Sequence, residues 1–191
     1  MLAPAAVRTV SVLFVLGFAT TAWPEVVKTV DLRNQDVADD FYVILCARKS
    51  PSSGTGHAFI VWAQRDEGSS RSMAYGFYPG MERVLIRLWM GKGRMVDEHT
   101  KQASTNPDLL THRLIVRVDR ETFLKSVAVK EEWERSGYGF NLISRNCLHF
   151  SREVGVSLGL NPPPPKIGER ASGYLGRVIQ RTGGQDAIEL R

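Results

Sequence analysis

Two residues in this chain have the chemistry of a nucleophile and its base. Cys147 stands within residues 138–150 (YGFNLISRNCLHF), and His57 opens the run HAFIVWA. The polar, Gly-marked stretch before the cysteine ends in Ser144, Arg145 and Asn146. After it, Phe150, Val154 and Leu158 fall at i+3, i+7 and i+11 from Cys147, which makes one apolar helical stripe. The spacing predicts a loop that delivers Cys147 to the first turn of a helix. A helix start carries unpaired backbone N–H groups and a partial positive charge. Both favour the thiolate, the form in which cysteine attacks. An imidazole within hydrogen-bond reach would take the thiol proton and later return it to a leaving group. Residues 57 and 147 are ninety positions apart, so any pairing between them is spatial.

The elements that must position this pair follow from hydrophobic pattern and turn residues. FYVILC (41–46) and HAFIVWA (57–63) are short apolar runs rich in β-branched and aromatic residues, so each reads as a strand. A Ser-, Pro- and Gly-rich loop joins them. SMAYGFY (72–78) reads as a third strand, forming a hairpin with the second and ended by Pro79-Gly80. Residues 94–96 make a short strand, and 101–108 read as a surface loop. HRLIVRV (112–118) alternates, with Leu114, Val116 and Val118 on one face together with His112. Asp119 is a good N-cap for a helix over 121–135, with Phe123, Val127 and Trp133 facing the core. The cysteine-headed helix ends at Gly159, and Pro162 to Pro165 form a stiff connector. Ala171, Tyr174, Leu175, Val178 and Ile179 have the spacing of a last amphipathic helix.

A third residue that orients His57 is expected on the next strand, where Ser72, Tyr75 and Tyr78 are the candidates. A hairpin turn near residues 66–69 would bring Tyr78 beside His57. None of the three is acidic, so a plain Cys-His dyad stays open. Asn146 is expected to cap the helix, with an auxiliary role in the site as the alternative. The backbone N–H of Cys147 is the expected oxyanion donor. His149 is two positions past Cys147, which on a helix places it on another face. His99 and His112 have no evident partner. Four histidines and two cysteines show no metal-ligand spacing, and no phosphate loop is present, so no cofactor is expected.

Only Cys46 competes with this assignment, since the chain has two cysteines. In an oxidising compartment a Cys46–Cys147 disulfide would remove the nucleophile and leave a non-catalytic exported binding protein. Cys46 within an apolar strand instead behaves as a small core hydrophobe. The compartment is set by the first residues. Arg8 precedes an almost wholly apolar run from Val10 to Phe18, and Ala19-Thr20-Thr21-Ala22 supplies small residues. That is the pattern of a secretory signal peptide cleaved after Ala22, and the run is too short to span a membrane comfortably. The expected layout is a signal over 1–22, one domain over 23–182 and a mobile tail over 183–191. The product would be exported, periplasmic or secreted. The net charge of +5, reduced to +4 by loss of Arg8, is spread along the chain. No cationic, aromatic-interleaved patch of the kind that binds nucleic acid is present.

GHAFIVW, YGFYPG and YGFNLISRNCLHF, in that order, resemble the circularly permuted papain-like cysteine hydrolases. That grouping includes permuted NlpC-type amidases, PPPDE-type isopeptidases and lecithin retinol acyltransferase-like enzymes. Its cysteine sits in a Y-x-L-x-x-x-N-C-x-x-F pattern. Leu142, Asn146, Cys147 and Phe150 match, while Phe140 stands where the pattern has tyrosine. The resemblance covers residues 41–160. It implies an α+β permuted papain-like fold, with an antiparallel sheet packed against the helix that Cys147 heads. It implies Cys147 as nucleophile and His57 as general base and acid, acting on an amide bond in a peptide or in peptidoglycan. Acyl transfer or lipid deacylation by the same fold is the alternative.

Overall fold

The computed structural model describes residues 25–33, 40–50, 54–66, 68–80, 90–100, 107–182 and 187–188. The expected signal peptide (1–22) and most of the expected surface loop (101–106) lie outside them.

Among the described residues, eight strands form the hydrogen-bonded series β7-β5-β4-β3-β2-β6-β1-β8. They are β1 (Val26–Asp31), β2 (Asp40–Arg48), β3 (His57–Asp66), β4 (Ser69–Pro79), β5 (Met90–Asp97), β6 (Leu110–Val118), β7 (Gly139–Asn141) and β8 (Ala187–Ile188). Among the described residues, three helices accompany them: α1 (Arg120–Arg135), α2 (Cys147–Ser157) and α3 (Ala171–Arg181). The fold is α+β. Strands β2 to β5 form an antiparallel meander, and β6 returns to the open edge of β2.

The sheet is mixed where an antiparallel one was expected. β6 runs antiparallel to β2 and takes the position beside it, which leaves β1 to pair outside β6 in parallel, from Val26↔His112 to Asp31↔Arg117. β1 (VVKTVD) is too short and weakly patterned to be read as a strand from sequence. Within the stretch expected to be a mobile tail, Ala187 and Ile188 pair with β1.

Strand alternation sends one set of side chains to the helices. Val43, Leu45 and Ala47 of β2, Ala58, Ile60 and Trp62 of β3, and Leu114, Val116 and Val118 of β6 are all buried. Against them lie Trp133 of α1, Phe150 and Val154 of α2, and Tyr174, Leu175 and Val178 of α3. Each large aliphatic side chain so buried contributes about 1.5–3 kcal/mol. The aromatic contacts run from helix to sheet: Trp133 meets Phe77 edge-on at 4.7 Å and Phe150 at 5.4 Å. The indole N–H of Trp62 donates to Ser126 Oγ at 2.8 Å, which ties α1 to the sheet without leaving a buried donor unpaired. Asp119 caps α1 by accepting from the Thr122 amide at 2.7 Å.

Two features fix the sheet end where His57 lies. Arg48, the last residue of β2, pairs with His57, the first of β3. Gly56 has φ +72°, and a Cβ there would stand 2.6 Å from the Arg48 carbonyl oxygen, so the loop before His57 can close onto β2 only with glycine. The first amide of α3, from Ala171, donates to Thr55 O at 3.0 Å and holds the same loop from the helix side.

Candidate active site

Cys147 is the first residue of α2, and two asparagines build the turn before it. Asn141 Oδ1 accepts from the amides of Ile143 (2.8 Å) and Ser144 (3.0 Å), while Asn141 and Arg145 pair through their backbones. Asn146 is the N-cap: its side-chain oxygen accepts from Leu148 N at 2.9 Å and His149 N at 3.4 Å. Its amide nitrogen donates to Leu142 O at 2.7 Å. One residue therefore satisfies the helix start and anchors the turn, so the cysteine is held at a fixed position. The Arg145 guanidinium lies 3.7 Å from the Tyr138 ring centroid and braces the turn from outside. Phe150, Val154 and Leu158 fix α2 to the core with the stripe read from the sequence.

The Cys147 thiol is near enough to the His57 ring, and to the backbone N–H groups of Ala58 and of Cys147 itself, to be shifted by their charge and hydrogen bonding. Burial raises the thiol pKa, but the His57 charge, its hydrogen bond and the two amides outweigh burial and hold it below the ordinary value. For His57 burial acts against the imidazolium. The Cys147 thiolate and the Glu98 carboxylate outweigh that and hold the pKa above the ordinary value. Both directions favour the thiolate–imidazolium pair over thiol and neutral imidazole.

Glu98 is the residue that sequence reasoning missed. It lies in a short 3-10 turn (Glu98–Thr100) directly after β5 and is fully buried. Its Oε1 is 3.2 Å from His57 Nε2 and accepts from the Tyr78 hydroxyl at 2.6 Å. Its Oε2 is 3.2 Å from Arg48 Nη2, which also donates to the Tyr78 oxygen at 2.6 Å. A carboxylate serving a hydroxyl and a guanidinium is an acceptor, so His57 Nε2 carries the hydrogen in this contact. Nδ1 is then the nitrogen left for Cys147.

Tyr78 is beside His57, as the hairpin register requires: continuing the ladder beyond Ile60↔Tyr75 sets Tyr78 across from His57. The two rings lie 4.0 Å apart, centroid to centroid. The Tyr78 hydroxyl, however, serves Glu98 and not the imidazole. The expectation that the residue against His57 comes from the next strand, among Ser72, Tyr75 and Tyr78, is corrected: Glu98 reaches the imidazole from beyond β5. Gly76 of β4 makes that reach possible. A Cβ on Gly76 would stand 2.5 Å from Glu98 Oε1 and closer still to His57 Nε2. That glycine was the one sequence signal that something must cross β4 here.

The other candidates lie apart from this cluster. Ser72 is exposed and pairs with Ala63, and Tyr75 carries Lys130 over its ring at 4.3 Å. His149 turns its Nδ1 to Asn146 Oδ1 at 3.0 Å. The His99 amide donates to Asp97, and His112 faces Gly176 of α3. Cys46 and Cys147 are both free, which removes the disulfide alternative. Cys46 is buried between Leu45 and Ala47 but on the sheet's other face, with its Sγ turned to Ile44 O at 3.8 Å. Burial pushes its thiol up to about 12, so it stays a protonated core residue. Among the described residues, no group of three His, Cys, Asp or Glu is placed to hold a metal ion, and no helix is long and apolar enough to cross a membrane.

No protein-family model matches the chain, and no curated protein matches it in sequence. Among solved structures it is similar to the crystal structure of the type VI secretion system effector TseH. The likeness has a TM-score of 0.51 at 13% identity and spans 80% of this chain and 92% of that one. At that identity the likeness is one of fold.

Proposed function

We propose that this chain is an exported cysteine hydrolase of the permuted papain-like type. Cys147 is its nucleophile, His57 its general base and acid, and Glu98 the residue that orients the imidazole. One observation carries this: a cysteine at the first position of a helix, coupled to a histidine whose Nε2 rests on a buried carboxylate. The order of histidine strand before cysteine helix is the permuted one.

In the proposed reaction the thiolate attacks the carbonyl carbon of an amide, forming the C–S bond and a tetrahedral oxyanion. The Cys147 N–H, at the free start of α2, is the proposed donor to that oxygen. Collapse breaks the C–N bond as the His57 imidazolium passes its Nδ1 proton to the leaving amine. The thioester is then attacked by water, whose proton goes to His57, and the acid leaves with the thiolate restored. Glu98 holds the Nε2–H throughout, so that Nδ1 keeps facing the sulfur.

The favoured substrate is an amide bond in a peptide or in peptidoglycan. Support comes from the signal-like first residues and from a fold shared with a protein named as a secretion-system effector. The mature chain is proposed to act outside the cytoplasm, periplasmic or secreted. The deciding experiment incubates the mature protein separately with peptidoglycan fragments, peptides and lipid esters. Intact-mass and peptide spectrometry then search for an acyl adduct on Cys147. A thioester on Cys147 with released amine is the expected result, absent in Cys147→Ala. An adduct from lipid esters alone would replace amide cleavage by deacylation. No adduct on Cys147 with any class, together with turnover that survives Cys147→Ala, would end the proposal.

A further inference from the structure

Arg48 lies at the end of β2, is 7% exposed and belongs to no part of the reaction above. Burying a guanidinium costs several kcal/mol unless its charge and donors are matched. Here it is matched to the back of the site: Nη2 meets Glu98 Oε2 at 3.2 Å and the Tyr78 oxygen at 2.6 Å, and the guanidinium carbon lies 5.8 Å from the centroid of Phe59. Phe59 in turn stacks beside His57 at 6.4 Å. The cation and the imidazole thus hold opposite oxygens of one carboxylate, with the Tyr78 hydroxyl bridging the cation to the oxygen His57 uses.

We infer that Arg48 and Tyr78 are positioning residues that keep Glu98 ionised beneath His57 and so set the pH range over which the Cys147 thiolate exists. This rests on the hydrolase assignment but concerns its regulation by charge. A fully buried carboxylate that loses a cationic partner takes up a proton more readily. A protonated Glu98 no longer favours the imidazolium. Arg48 removes that route by supplying a permanent charge that cannot be titrated away. Tyr78 adds a hydrogen bond at Oε1 that is stronger to the ionised carboxylate than to the neutral acid. Among the described residues the cluster then holds two anions, Cys147 and Glu98, and two cations, His57 and Arg48.

Among the described residues, three charged or titratable groups on the packed neighbours are directed elsewhere. Arg94 of β5 is across from Tyr78 in register and exposed. Asp97 accepts from the His99 amide. His112 of β6 pairs with Ala47 and faces α3. The remaining neighbour of the sulfur, the start of α2, adds backbone N–H groups and Asn146.

The test is the pH profile of Cys147 alkylation by iodoacetamide, followed by mass spectrometry on the folded protein, which needs no substrate. The unaltered chain should show a midpoint below the ordinary thiol range. Arg48→Met should raise it by about one pH unit, an alkylation roughly tenfold slower on the acid side. Arg48→Lys keeps the charge and should return most of the depression. Tyr78→Phe keeps the ring against His57 and should give a smaller rise. A midpoint unmoved in folded Arg48→Met would overturn the inference. Should that variant not fold, Tyr78→Phe decides: a rise supports the role, and no change overturns it. An ordinary midpoint in the unaltered chain would instead count against the hydrolase assignment itself, so the two failures are distinguishable.

Discussion

His57 Nε2 and Glu98 Oε1 meet at 3.2 Å across a strand that carries glycine at the crossing point. The contact joins the first residue of β3 to a turn beyond β5, with β4 between them in the sheet. The contact engages Nε2, which leaves Nδ1 for the proton transfer proposed with Cys147.

The two pKa directions give the sign of the pH dependence. Cys147 loses its proton below the ordinary thiol value of 9.0, and His57 keeps its proton above the ordinary imidazole value of 6.5. Each shift favours the charged form, thiolate for Cys147 and imidazolium for His57. Turnover should fall on the acid side as the thiolate takes up a proton and on the alkaline side as the imidazolium loses one. His57→Gln removes the first of the charges that offset burial, so the alkylation midpoint of Cys147 should rise to the ordinary value or beyond. Turnover at neutral pH should fall by about 10²–10⁴-fold. A midpoint that stays low in His57→Gln would assign the depression to the helix start alone.

Gly76→Ala tests the crossing point. The new Cβ would collide with the His57 ring and with Glu98 Oε1. Relief requires one of them to move, at a cost of about 1–3 kcal/mol in unfolding free energy. Denaturant titration should read that loss, and the alkylation midpoint should rise with it. An intact midpoint would mean that His57 holds its position without Glu98.

Asn146 separates capping from charge. Asn146→Ala removes the cap to Leu148 and His149 and should cost about 1 kcal/mol in a denaturation midpoint. Asn146→Asp keeps the acceptor but sets a negative charge beside the sulfur. It should restore stability while raising the alkylation midpoint, because like charges disfavour the thiolate. Equal midpoints for Asn146→Asp and the parent would show that the N-cap position does not sense the sulfur.

Cys46 should be silent. The native mature protein should titrate two free thiols only after unfolding, and Cys147 alone should react quickly when folded. Cys46→Ala should leave the Cys147 alkylation rate and pH profile unchanged. A disulfide found under non-reducing conditions would contradict the free cysteines and remove the nucleophile.

Most of the strands and all three helices could be read from local pattern. The stripe Phe150, Val154 and Leu158, the alternation of Leu114, Val116 and Val118, and the cap at Asp119 each depend on a period of two or 3.6 residues and a nearby polar signal. The hairpin register followed from the β3–β4 turn, and it placed Tyr78 correctly. β1 was missed because a six-residue strand with a half-exposed end shows no clear alternation.

By itself, then, the sequence determined a cysteine at a helix start, a histidine at a strand start, and the strand that lies between that histidine and its support. The tertiary structure decided that the two residues lie near one another and that Glu98 lies against His57. In the sequence Glu98 stands between Asp97 and His99, in a run that looks like a solvated turn. Its meaning comes from full burial against His57, Tyr78 and Arg48, groups 41, 20 and 50 positions away. Periodicity reports how one element faces the core. It carries no information about which buried charge a distant strand will bring to its neighbour, because that is set by sheet order and by a missing side chain at Gly76.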